Sequence, residues 1–127
     1  MIENVKELRM NTEKAQDYFE MRLAYTLGPV ELKAMMAKDN IKLIDVRQKA
    51  DYDEGHFPDA ISIPKDELKD RLDMLSKEDV NIVYCYNAQC HLAASAAYTL
   101  ARNGYPTMEV EGGYKTWVED FKFDVVK

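Results

Sequence analysis

Apolar residues fall into short runs separated by segments with helical spacing. Ile41 to Val46 and Asn81 to Tyr84 are two such runs, and Ala60 to Ile63 is a shorter one. Thr107 to Val110 and Leu23 to Leu27 are weaker candidates. Runs of this length are too short for helices. In alternation with helices they suit strands buried on both faces of a sheet.

The helical segments carry their own punctuation. Gly28-Pro29 starts one, because proline suits the first helical position, and Leu32, Met35 and Met36 give it an apolar stripe. Leu68, Leu72 and Leu75 recur at i, i+4 and i+7, with Lys69, Asp70 and Asp73 on the solvent side, which predicts a second helix. An alanine-rich helix is expected from His91 to Asn103, ended by Gly104, with small side chains that allow close approach to a sheet. A short last helix is expected over Tyr114 to Phe121. Strands alternating with helices predict an α/β fold with a mostly parallel sheet.

Residues 1–22 read as a helical extension of a domain spanning 23–127. Ala15, Tyr18, Phe19 and Leu23 form an apolar stripe, capped by Asn11 or Thr12 and extended upstream by Val5 and Leu8. Two readings stay open. The extension is either a packing helix that covers one side of the domain, or a lid or homodimerisation element.

Composition narrows the class. The chain has 127 residues, enough for one domain, with 46% hydrophobic and 31% charged residues and a net charge of −6. That charge opposes nucleic acid and anionic membranes, so neither is expected as a partner. No apolar stretch approaches the roughly 20 residues that cross a bilayer, and the N-terminal residues lack the apolar core of a secretory signal. The expected compartment is the cytoplasm, where the two cysteines are free, catalytic or redox-active rather than a structural staple. Cys85-x4-Cys90 has no second pair to complete a zinc site, and no metal is expected.

The candidate chemistry lies where Val80 to Tyr84 ends in Cys85. If His91 begins a helix, then Cys85, Tyr86, Asn87, Ala88, Gln89 and Cys90 form a tight strand-to-helix loop. Ligands of open α/β sheets bind outside the carboxyl ends of strands. Loop amides and a helix N-terminus there would favour an anion, lower the cysteine pKa and populate the thiolate. The plain alternative is a cysteine that is only a small buried hydrophobe.

Four motifs in order carry a resemblance. They are Asp45-Val46-Arg47, Tyr52-x-x-Gly55-His56-x-Pro58-x-Ala60, Cys85 after its strand, and Gly112-Gly113-x-x-x-Trp117. The chain resembles the rhodanese-like sulfurtransferase domain family, with matches running from about Thr26 to Phe121. The resemblance implies a five-stranded sheet sandwiched by helices and a six-residue loop whose first residue, Cys85, accepts sulfane sulfur as a persulfide. It implies a small sulfur donor, an acceptor that is a thiol, cyanide or a protein cysteine, and no cofactor. Asp45, Arg47, His56, Gly112 and Gly113 are expected to support the frame, and Trp117 to lie in the core.

Some positions depart from the family pattern. Ala88 stands where glycine is common, and Cys90 and His91 where serine, threonine or arginine are common. The loop has no lysine or arginine, so weak reaction with the thiosulfate dianion is expected. Cys90 is either a tolerated small residue or a resolving thiol that attacks the Cys85 persulfide, releases sulfide and leaves a Cys85–Cys90 disulfide. The alternative to an enzyme is a non-catalytic sulfur-carrier or redox-sensing module that uses this disulfide and docks on a partner. The related phosphatase reading needs an arginine where His91 stands, because that guanidinium clamps the oxyanion.

Overall fold

The computed structural model describes residues 2–127, with side chains from Asn4 onward. Five strands form one sheet: β1 (Thr26–Leu27), β2 (Ile41–Asp45), β3 (Ile61–Ser62), β4 (Val80–Tyr84) and β5 (Thr107–Val110). Their spatial order is β1-β5-β4-β2-β3, and every pairing is parallel. The central pair runs from Ile41 opposite Val80 to Asp45 opposite Tyr84. Both strands therefore end together, at the edge where Cys85 follows.

Period-two alternation distributes β4 between two cores. Ile82 and Tyr84 face a cluster with Leu27, Leu32, Leu43, Phe57, Val110 and Trp117. Val83 and Cys85 face the opposite cluster, with Ile44, Val46, Ile63, Leu68, Ala93, Ala96 and Leu100. Helix α3 (Pro29–Lys38) supplies Leu32 to the first face. Helix α5 (Leu92–Arg102) supplies Ala93, Ala96 and Leu100 to the second, where its alanines allow close approach. Helix α4 (Lys49–Glu54) follows β2. Helix α6 (Gly113–Lys115) continues into one π-helical turn over Thr116–Asp120, which buries Trp117.

Three expectations need correction. The leucine-spaced segment is not one α-helix but two 3₁₀ stretches, Lys65–Asp70 and Leu72–Met74, broken at Arg71. Leu68 is buried and Leu72 and Leu75 still pack on the same cluster. Periodicity recorded the burial but not the hydrogen-bond pattern, because a segment this short takes its form from packing rather than propensity.

Leu23 lies in a helix, not a strand. Helix α2 (Thr12–Tyr25) runs through it, and only Thr26 and Leu27 pair with β5. Thr26 ends the helix, its hydroxyl and backbone N–H both donating to the Arg22 carbonyl.

The N-terminal segment does not cover the domain. Helices α1 (Ile2–Met10) and α2 make a hairpin in which Asn11 caps α2 by accepting from the Lys14 N–H at 3.1 Å. No residue of α2 is buried, and Phe19 and Leu23 are 54% and 76% exposed. Both sheet faces are already occupied, so the apolar stripe of α2 finds no surface there. An exposed Arg22–Glu111 ion pair of 2.9 Å links the hairpin to the domain. No helix among the described residues is long and apolar enough to cross a membrane.

Candidate active site

Cys85 sits just past the carboxyl end of β4 and is 3% exposed. The loop from Cys85 returns through a β-turn in which the Cys90 N–H donates to the Asn87 carbonyl at 3.1 Å. The Gln89 N–H donates to the Asn87 side-chain oxygen, also at 3.1 Å. Ala88 at the turn's centre needs no left-handed backbone, since Asp59 and Lys122 are the non-glycine residues with positive φ among the described residues. Alanine in place of glycine is thus compatible with this turn. His91 is exposed, stands at the N-cap of α5, and makes no side-chain capping bond.

The thiol itself departs from the sequence expectation. Burial raises the Cys85 pKa, and contact with the Cys90 side chain raises it further. The backbone N–H groups of Ala93, in the first turn of α5, and of Tyr86 act the other way and lower it, but the result is pushed up to about 11. The expected anion cradle is incomplete because the Cys90 and Gln89 N–H groups are spent on Asn87. Burial without enough donors favours the neutral thiol. Cys90 moves the other way. Its own burial raises it, yet hydrogen bonds from the Cys85 thiol and from the Leu92 and Tyr86 N–H groups leave its pKa lowered.

Two expected outcomes follow. Replacing Cys90 by alanine removes both Cys90 contributions and lowers the Cys85 pKa, which the pH profile of iodoacetamide alkylation at Cys85 measures. In the unmodified chain the alkylation rate at Cys85 rises about tenfold per pH unit from neutrality toward that pKa, because only the thiolate reacts.

Distant segments hold the loop. The Tyr114 N–H donates to the Cys85 carbonyl at 2.8 Å and the Lys115 N–H to the Tyr86 carbonyl at 2.9 Å. Helix α6 thus presents its free N-terminal donors to the loop, which satisfies both partners. Gly113 makes that approach possible. Its φ is +60°, and a Cβ there would lie 2.6 Å from the Cys85 carbonyl oxygen and 2.9 Å from the Asn87 nitrogen. Gly113→Ala is expected to cost about 1–3 kcal/mol from the left-handed backbone and to displace the loop as well. Urea melts of the variant and the pH profile of iodoacetamide alkylation at its Cys85 test both effects.

Arg47 and Asp45 form a buried ion pair of 2.8 Å, and the guanidinium also donates to the Gly55 carbonyl. Its face lies 4.0 Å from the Tyr114 ring centroid. Arg47 is therefore committed to the frame. His56 stacks on Tyr52 at 3.8 Å and places Nδ1 2.9 Å from the Tyr52 carbonyl, while its backbone bridges Val126. Gly112, left-handed at φ +83°, turns the chain into α6.

Sequence reasoning missed Tyr114, Asp51 and Gln48. The Tyr86 hydroxyl donates to Asp51 and accepts from the Gln48 N–H, tying the loop to α4. No local pattern marks these residues, since their partners lie 35 and 38 positions away.

A family model for the rhodanese-like domain matches residues 28–120. The chain belongs to the rhodanese-like domain family. Its fold matches the crystal structure of the BH2092 protein from Bacillus halodurans with a TM-score of 0.85 at 32% identity, covering 91% of this chain and 86% of that one. The residues after α2 cannot make up that share alone, so the match reaches back into the helical hairpin. Among curated relatives, the uncharacterized protein YqhL of Bacillus subtilis is 32% identical over 100 residues, 78% of this chain and 76% of that protein. Thiosulfate sulfurtransferase GlpE of Coxiella burnetii is 28% identical over 92 residues, 72% of this chain and 84% of GlpE. An HTH-type transcriptional regulator of Mycobacterium tuberculosis, Rv0324, is 33% identical over 87 residues, but the chain covers only 38% of its length. The rhodanese-like domain therefore occurs both in sulfurtransferases and inside larger proteins of other description.

Proposed function

We propose that this rhodanese-like protein is a sulfurtransferase that carries sulfane sulfur as a persulfide on Cys85. The observation that carries the reading is the placement of Cys85 just past the end of the central strand, where the Ala93 and Tyr86 N–H groups favour its anion. The likeness to GlpE supports it. In the first step the Cys85 thiolate attacks the outer sulfur of a donor persulfide R–S–SH. The donor S–S bond breaks, R–S⁻ leaves, and Cys85–S–SH forms. An acceptor thiolate or cyanide then attacks the outer sulfur and returns Cys85 as thiolate. The two N–H groups serve the anion at both stages, as preorganised donors do in an oxyanion hole.

Donor choice follows from charge. The loop holds no lysine or arginine, and Arg47 is buried against Asp45. Thiosulfate is a dianion and would enter a protein of net charge −6 without a cation at the nucleophile. Low-molecular-weight persulfides, and polysulfide in its singly protonated form, carry less charge at the reacting end and are therefore the better donors. Thiocyanate formation from cyanide tests this, with thiosulfate and polysulfide compared as kcat/KM. Polysulfide is expected to win by at least about tenfold, the factor that 1.4 kcal/mol of unfavourable charge imposes. Equal efficiencies would defeat the donor assignment.

A further inference from the structure

The loop contains a second thiol that simple sulfur transfer does not use. Cys90 is half-buried and packs on the same apolar cluster as Cys85. The Cys85 thiol lies 3.6 Å from the Cys90 carbonyl oxygen and donates to it. The turn closed by the Cys90 N–H and Asn87 folds the end of the loop back over its beginning. The two thiols shift one another in opposite directions, so that Cys90 is the more readily ionised of them. Its neighbours Tyr86 and Leu92 each offer it a backbone N–H.

We propose that Cys90 is a resolving thiol: it attacks the inner sulfur of the Cys85 persulfide, releases sulfide and closes a Cys85–Cys90 disulfide. This rests on the persulfide reading of Cys85. The Cys85 Sγ already lies against the Cys90 backbone, and the choice of sulfur that Cys90 attacks decides the outcome. Attack on the outer sulfur would only relocate the sulfane atom to Cys90. Attack on Sγ forms the Cys85–Cys90 bond, breaks the Cys85 S–SH bond and expels HS⁻.

The electrons balance within the loop. The sulfane sulfur leaves reduced as sulfide, and the two cysteine sulfurs become a disulfide. The donor persulfide supplies the oxidising equivalent, so no other oxidant enters. Two molecules of an external thiol then reduce the disulfide and leave as their own disulfide. The full cycle converts R–S–SH and two R′–SH into R–SH, hydrogen sulfide and R′–S–S–R′. With only four residues between the thiols, the closing step is intramolecular and gains the rate advantage of held reactants. When thiol is scarce the loop stays oxidised and cannot load, which makes sulfur transfer responsive to the thiol pool.

The test uses the reduced 127-residue chain and one equivalent of glutathione persulfide, with excess small thiol removed at once. Released sulfide is assayed, and the peptide spanning Glu78 to Arg102, which holds both cysteines, is weighed. The unmodified chain is expected to release one sulfide per chain and lose about two mass units across that peptide, as one disulfide requires. Cys90→Ser and Cys90→Ala are expected to keep the added sulfur on Cys85 and to release sulfide at least tenfold more slowly until thiol is added. Melting curves confirm that both variants are folded. If the unmodified chain holds its persulfide as long as the variants do, the resolving role is overturned while the carrier reading stands. A disulfide formed without matching sulfide also overturns it, since that is direct oxidation. If neither the unmodified chain nor the folded variants take up sulfur at Cys85, the carrier reading and the resolving role fall together.

Discussion

Cys85→Ser is expected to lower sulfur transfer by at least about a thousandfold, the scale of losing the nucleophile in covalent catalysis. A serine hydroxyl is neither ionised near neutrality nor able to hold a sulfane sulfur as a persulfide. Thiocyanate formation and the mass of the persulfide-bearing peptide both report the loss. The side chain is buried at the edge of an apolar cluster, where the Cys90 carbonyl oxygen stands ready to accept from a hydroxyl. The variant therefore stays folded, and its melting temperature separates lost chemistry from lost structure. Retention of even a tenth of the activity would remove Cys85 from the mechanism.

Arg47→Met is expected to be the most damaging change to stability. It leaves the Asp45 carboxylate, 0% exposed, without its bidentate partner, and strands the Gly55 carbonyl. Breaking a buried pair from one side costs about 3–5 kcal/mol. That is a large share of the roughly 5–15 kcal/mol that holds a domain together. Urea denaturation measures the loss. The pair can be isolated by adding Asp45→Asn, which removes the buried charge. The double variant is expected to be more stable than Arg47→Met alone, because the main cost is the orphaned charge and not the missing bond. The loop should feel the change as well. Arg47 lies over the Tyr114 ring, and the Tyr114 N–H holds the Cys85 carbonyl.

Much of the frame was legible because its signals are local. The runs at Ile41 to Asp45 and Val80 to Tyr84 became the paired central strands, and Thr107 to Val110 became β5. The alanine-rich helix formed one residue inside its expected limits at each end. Asn81 shows where local reading stops. It sits within an apolar run yet is buried, with its amide donating to the Ser76 and Pro106 carbonyls and accepting from the Ser76 N–H. The leucine segment shows the same limit, since burial was readable and the turn type was not. The site was legible as a position and not as a chemical state. Ion pairs such as Asp45–Arg47 span two residues, but the contacts of Tyr86 and Gly113 with their partners cross the chain.

By itself the sequence determined the parallel α/β frame, its family motifs, and a cysteine delivered to the carboxyl end of the central strand. Side-chain alternation and helix punctuation are properties of neighbouring residues, so they are present in the chain before it folds. Only the tertiary structure decided how Cys85 is held. Burial against the α5 face and a second thiol keep Cys85 protonated against two backbone donors that favour its anion, while Cys85 and the Leu92 and Tyr86 N–H groups favour the ionised form of Cys90. A pKa is a sum over groups near in space, and those groups are gathered by the folding of the whole chain.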